Sequence, residues 1–119
     1  MATKQANASP ADHREELLRK ELARIVYVVV RELDPERIVL FGSTIIGTVT
    51  ETSDIDLLIV RETSARWLDR IKEVILLTRP RAAVDFFVLT PEEWRRKSSE
   101  DPFYQQEVLS RGRAVYARP

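Results

Sequence analysis

Apolar positions along this chain follow two periods, and the changes between them outline its elements. Leu17, Leu18, Leu22, Ile25, Val26, Val29 and Val30 recur at helical spacing as far as Leu33. Ser9 reads as the N-cap of that helix, Pro10 as its first residue, and Asp34-Pro35 as its end. The β-branched run Val28-Val29-Val30 would suit a strand, but the helical stripe around it outweighs that preference. Arg37 to Phe41 is a short apolar run closed by Gly42, which predicts a buried strand. Gly42 to Thr52 reads as a loop with a short helix starting near Ser43, and Asp54 to Val60 as the second strand.

Farther on, Trp67, Leu68, Ile71, Val74, Ile75 and Leu77 predict a helix over Thr63 to Thr78, stopped by Pro80. Ala83 to Leu89 reads as a third strand. Thr90-Pro91-Glu92-Glu93 is a capping signal for a helix through Lys97. A last helix is expected over Pro102 to Leu109, ending by Gly112, with a small edge strand at Ala114-Val115-Tyr116. Residues 1–8 read as a disordered polar tail and 9–119 as a single domain. The order of elements implies an α/β fold: a small mixed sheet with helices mainly on one face.

Composition mostly excludes. The chain of 119 residues carries 19 basic and 19 acidic side chains, so bulk charge argues for neither nucleic acid nor an anionic membrane, and nucleic acid is not the expected direct substrate. With no cysteine and one histidine, His13, it has no disulfide framework, thiol nucleophile or Cys/His zinc site. No apolar run approaches the roughly 20 residues of a membrane span, and the expected location is the cytoplasm. The apolar stripes of the helices leave room for a homo-oligomer.

The chemistry concentrates between Gly42 and Val60. Residues two apart on a strand project to the same side, so Asp54 and Asp56 point together while Ile55 and Leu57 face away. Carboxylates roughly 6–7 Å apart along a strand make a seat for a divalent metal. Ahead of them Gly42-Ser43 and Gly47 form a turn able to hold phosphate, with Ser43 adding a hydroxyl and exposed amides at a helix N-terminus. Asp85 is a third acid, set between Val84 and Phe86, where an unpaired buried charge would be costly. If its strand lies beside the Asp54–Asp56 strand, three carboxylates converge, and cations relieve their repulsion.

Other readings of these residues fail on detail. Gly42 and Gly47 are spaced as in a P-loop, but Thr48 stands where that motif requires lysine. The Asp-x-Asp pair of haloacid dehalogenase-type phosphotransferases is followed two residues later by threonine, and here Leu58 occupies that place. Those enzymes, and the glycosyltransferases with a similar pair, also need a longer chain. Arg95-Arg96-Lys97 reads as a solvated helix face, and Trp67 and Trp94 as packing residues.

Gly42-Ser43, Gly47 and Ser53-Asp54-Ile55-Asp56, with apolar residues after them, resemble the signature of the DNA polymerase β-type nucleotidyltransferase superfamily. Asp85 in Val-Asp-Phe-Phe-Val falls where that superfamily places its third carboxylate, and the chain from Ile38 onward resembles its minimal, antitoxin-like members. The resemblance implies a polymerase β-like fold with Asp54, Asp56 and Asp85 as catalytic metal ligands. Two magnesium ions would be held there, with ATP as substrate. Gly42, Ser43, Gly47 and Ser53 would seat the nucleotide. It further implies transfer of AMP to an acceptor hydroxyl, on a HEPN-type partner protein that the chain would neutralise as an antitoxin. One departure stands out: many minimal members carry arginine before the second glycine, and here that residue is Ile46. It keeps open an alternative in which the chain binds its partner sterically without transferring nucleotide. Arg61, Arg79 and Arg81 are the candidates to replace the missing guanidinium.

Overall fold

The signals at the ends of the first helix form as the chain dictates. In the computed structural model, which describes residues 9–42 and 55–119, helix α1 spans Pro10–Leu33. The Ser9 hydroxyl accepts the Asp12 N–H while the Asp12 carboxylate accepts the Ser9 N–H, satisfying two donors that a helix start leaves open. Asp34 leaves the helix in the left-handed conformation. Leu18, Leu22, Ile25 and Val29 are buried in a single stripe, so Val29 is helical because its burial there outweighs its β preference. The expected tail, residues 1–8, lies outside the described residues, as does the loop with its short helix from Ser43 on.

Strand β1 (Arg37–Phe41) pairs antiparallel with β2 (Ile55–Val60), placing Phe41 opposite Asp56. From β2 the chain crosses through α2 (Trp67–Thr78) to β3 (Val84–Leu89), which lies parallel to β2. Helix α3 (Pro91–Glu100), a π-helical segment (Tyr104–Ser110) and strand β4 (Arg113–Ala117) complete the order. The sheet runs β3-β2-β1-β4, a mixed four-stranded sheet with the two acid-bearing strands adjacent. Backbone bonds from Ile55 N–H to Ala83 C=O and from Arg61 N–H to Leu89 C=O extend the β2–β3 ladder at both ends.

Alternation divides the sheet's side chains between two cores. Ile38, Leu40, Ile55, Leu57, Ile59, Phe86 and Val88 face the long helices and bury against Ile25, Val29 and Val74. Val39, Phe41, Leu58, Val60 and Leu89 face the other way, against Trp94, Tyr104 and Val108. The two long helices therefore share one face, while α3 and the π-helical segment cover the other. Asp56 and Asp85 belong by period to this second face, two residues before Leu58 and Phe87.

Some boundaries differ from expectation for local reasons. Helix α2 starts at Trp67 instead of Thr63 because the Thr63 hydroxyl accepts the Ala65 N–H, and the Ala65 carbonyl accepts Arg70 Nε. Helix α3 continues past Lys97 to Glu100, and the last helical stretch winds as a π-helix. Gly112 closes that winding by donating its N–H to Val108 C=O, and a Cβ there would collide with the same carbonyl. Trp94 is buried as a packing residue should be, but Trp67 at the head of α2 remains 40% exposed. Among the described residues no helix is long and apolar enough to cross a membrane.

Candidate active site

Three of the sequence-predicted residues fall within the described chain, and the sheet brings them to one end. Asp56 is the second residue of β2 and Asp85 the second of β3, and the parallel register makes them direct partners. Adjacent strands lie about 4.8 Å apart, so two carboxylates stand side by side on one face. Like charges at that spacing are unfavourable unless a cation or donor shares them. Asp54, Ser43, Gly47 and Ser53 lie outside the described residues.

Gly42 completes the group. It follows Phe41 at the end of β1 with φ of +86°, a conformation that glycine adopts without penalty. A Cβ at this position would run into the Asp56 carboxylate oxygen, so the bare backbone makes room for that oxygen. A side chain here would make the Asp56 carboxylate turn away from its position.

Asp85 corrects one expectation. It is exposed at the start of β3, so no buried charge is stored there. Its link to Asp56 rests on strand register, which a desolvation argument from sequence does not supply.

Hard carboxylate oxygens on neighbouring strands, with a cradle at Gly42 that a Cβ would fill, suit Mg²⁺ or a similar ion. Among the described residues no group of three His, Cys, Asp or Glu side chains is placed to hold a metal, and the third expected ligand, Asp54, lies outside them. Arg61, a candidate replacement cation, already has a carboxylate partner. It follows the far end of β2, five residues or about 16 Å along from Asp56, and bonds Glu73 at 2.6 Å. Arg79 caps α2 in the left-handed conformation, and Arg81 gives its backbone N–H to Glu21.

Sequence reasoning missed an aromatic layer beneath the acids. The rings of Phe41 and Phe87 lie 5.3 Å apart, Phe103 meets Phe41 edge-on at 6.1 Å, and Tyr104 meets Phe103 at 5.3 Å. Lys97 sits over the Tyr104 ring at 5.4 Å. Burial, reinforced by the nearby Asp101 and Glu93 carboxylates, holds the Tyr104 hydroxyl above its usual range, so it keeps its proton at neutral pH. Alternation along β3 is a signal that could find Phe87, but the meeting of Phe41 on β1 with Phe103 leaves no local signal.

A second missed feature is the clamp that holds this face together. Arg70, only 8% exposed, donates to Glu93 at 2.7 and 3.3 Å, to Ala65 C=O at 2.8 Å and to Val88 C=O at 3.2 Å. Glu93 also accepts the Thr90 N–H that starts α3. The Arg70 hydrogen bond, chiefly, holds the Glu93 carboxyl below its usual pKa. One side chain thus joins α2, β3 and α3.

Two cavities flank the sheet. One of about 320 Å³, lined by Trp67, Phe87, Arg96, Lys97 and Tyr104 among others, lies on the face of the acids. A larger one of about 470 Å³, lined by Arg14, Leu18, Glu21, Arg24 and Arg81, belongs to the opposite face, where Leu18 packs.

The fold has a counterpart among known structures. The chain superposes on the crystal structure of a Sulfolobus solfataricus protein provisionally assigned as a nucleotidyltransferase, with a TM-score of 0.67 and 25% identity. That likeness covers 94% of this chain and 91% of the other. No curated protein matches. The profile of the nucleotidyltransferase domain matches residues 15–115, which includes β1, β2 and β3 and all the candidate acids. The chain belongs to the nucleotidyltransferase domain family.

Proposed function

We propose that the chain is a magnesium-dependent enzyme that moves a nucleoside monophosphate, AMP from ATP, onto an acceptor hydroxyl. The observation that carries this reading is the register of Asp56 with Asp85, backed by Gly42 against the Asp56 carboxylate. Asp54, Asp56 and Asp85 would hold the metal. Gly42, Ser43, Gly47 and Ser53 would seat the triphosphate. Bound there, Mg²⁺ supplies positive charge to the phosphate oxygens.

The acceptor oxygen forms a bond to the α-phosphorus while the bond to the β-phosphate oxygen breaks, and pyrophosphate leaves. Asp85 would take the hydroxyl proton, a role supported by its exposure on edge strand β3. The acceptor is proposed to be a protein, of the HEPN type that the resemblance implies, with the chain acting as antitoxin. Exposed Leu68, Ile75 and Leu76 on α2 support a protein partner, since they offer apolar surface that a soluble acceptor would cover.

Calorimetry with ATP tests the core of this reading. Wild type is expected to bind ATP only with Mg²⁺, and the Asp54→Asn/Asp56→Asn variant to lose that binding. A wild type that binds no ATP refutes the enzyme. Ile46 favours the second reading, a steric binding module without transfer, because it removes a charged phosphate contact. Incubation with a HEPN-type partner protein and labelled ATP separates the two: label on the partner supports transfer, and a tight unlabelled complex supports the module.

A further inference from the structure

An in-line displacement at the α-phosphorus fixes the directions in which its substituents leave. Pyrophosphate departs toward the Gly42 turn at the end of β1, and the acceptor oxygen approaches from the opposite side, where Asp85 stands. That line runs across the strands, from β1 over β2 to β3. The nucleoside, joined through its 5′ oxygen, must leave the line, either along the strands or away from the sheet.

Along β3, on the face of Asp85, the next side chains are Phe87 and Leu89, about 7 and 13 Å on. The cavity of about 320 Å³ opens there. Phe87, Tyr104 and Trp67 supply flat apolar walls, and Arg96 and Lys97 supply positive charge beside the Glu93 carboxylate, which Arg70 pairs. Trp67 is a large ring left 40% exposed at the head of a helix whose buried residues are Arg70, Val74 and Thr78. A ribose is the one unit separating the α-phosphate from a base, so the base lies close to the acids, and Phe87 is the cavity residue nearest to Asp85 along β3.

We infer that the cavity formed by Trp67, Phe87, Tyr104, Arg96 and Lys97 binds the nucleobase of the donor triphosphate, stacked on the Trp67 and Phe87 rings. This rests on the transferase reading above. Stacking there would tolerate any base, because every base presents a π-face. One aromatic platform corresponds to about five- to 150-fold in affinity.

The test uses the full chain, calorimetry and tryptophan fluorescence, with MgATP, ribose 5-triphosphate and inorganic tripolyphosphate as ligands. Wild type is expected to bind ATP at least about fivefold tighter than ribose 5-triphosphate. ATP alone is expected to quench Trp67 fluorescence over the steady signal of buried Trp94. Trp67→Ala is expected to erase the quench and the ATP advantage while binding tripolyphosphate as wild type does, and Trp67→Phe to restore most of the advantage. Equal affinity of the wild type for ATP and ribose 5-triphosphate overturns the inference without any variant. So does a Trp67→Ala protein that binds ATP normally, including one that only slows transfer to the acceptor, which would give the cavity to the acceptor instead. A wild type that binds neither ATP nor tripolyphosphate sinks the transferase reading itself, and the base site with it.

Discussion

Replacing Gly42 with alanine should impose two separable costs. The first is conformational: at φ of +86° an L-residue is strained by about 1–2 kcal/mol. The second is a local clash, because the new Cβ occupies the place of the Asp56 carboxylate oxygen, worth about 0.5–1.5 kcal/mol as the carboxylate is turned off its rotamer. Truncating Asp56 to alanine removes the obstructing atoms and leaves its own Cβ 3.5 Å from the added one, an ordinary contact. In that background Gly42→Ala should cost only the conformational part. A double-mutant cycle by urea denaturation, followed by tryptophan fluorescence, is therefore expected to show a coupling of about 0.5–1.5 kcal/mol. Strict additivity would refute the argument that Gly42 exists to make room for Asp56. Gly42→Ala should also weaken Mg²⁺-dependent ATP binding in calorimetry, since the displaced carboxylate is one of the proposed ligands.

Two further predictions concern the framework of the site. Arg70→Ala leaves Glu93 and the carbonyls of Ala65 and Val88 without their buried donor, and should lower the free energy of unfolding by about 3–5 kcal/mol; a loss under about 1 kcal/mol in urea titration would contradict the clamp. Glu21 is held down from its ordinary 4.5 to about 2, first by the hydrogen bond from Arg24 and then by the Arg81 N–H, against the opposing effect of burial. Because its folded pKa is depressed, its stabilisation is fully present above about pH 4.5 and is lost as pH falls toward 2, at most about 3 kcal/mol. Thermal melts between pH 5 and pH 2 should show this loss, and Glu21→Gln should flatten it.

Much of this architecture is written locally. Ser9 with Asp12, and Thr90 with Glu93, are capping pairs three residues apart, so their hydrogen bonds depend on nothing distant. The apolar runs at Arg37 to Phe41 and Ala83 to Leu89 gave their strands to within a residue, because alternation and burial act over a few positions. Alternation also sets Asp56 on the same face as Leu58. The start of α2 was less legible, since a hydroxyl at Thr63 and the reach of Arg70 compete with the helical pattern.

What the chain determined by itself was the set of elements, the family signature and the residue types offered for chemistry. What only the tertiary structure decided was which of them meet. The register that makes Asp85 the partner of Asp56 comes from how β3 packs after the α2 crossover, not from any period within β3. The pairing of Phe41 with Asp56 brings Gly42 under the carboxylate, and the aromatic layer joins residues from β1, β3 and the π-helical segment. Periodicity is a short-range property that assigns a side chain to a face. Contacts between faces are fixed by long-range packing, where the placement of one strand against another sets the distance between groups far apart in the chain.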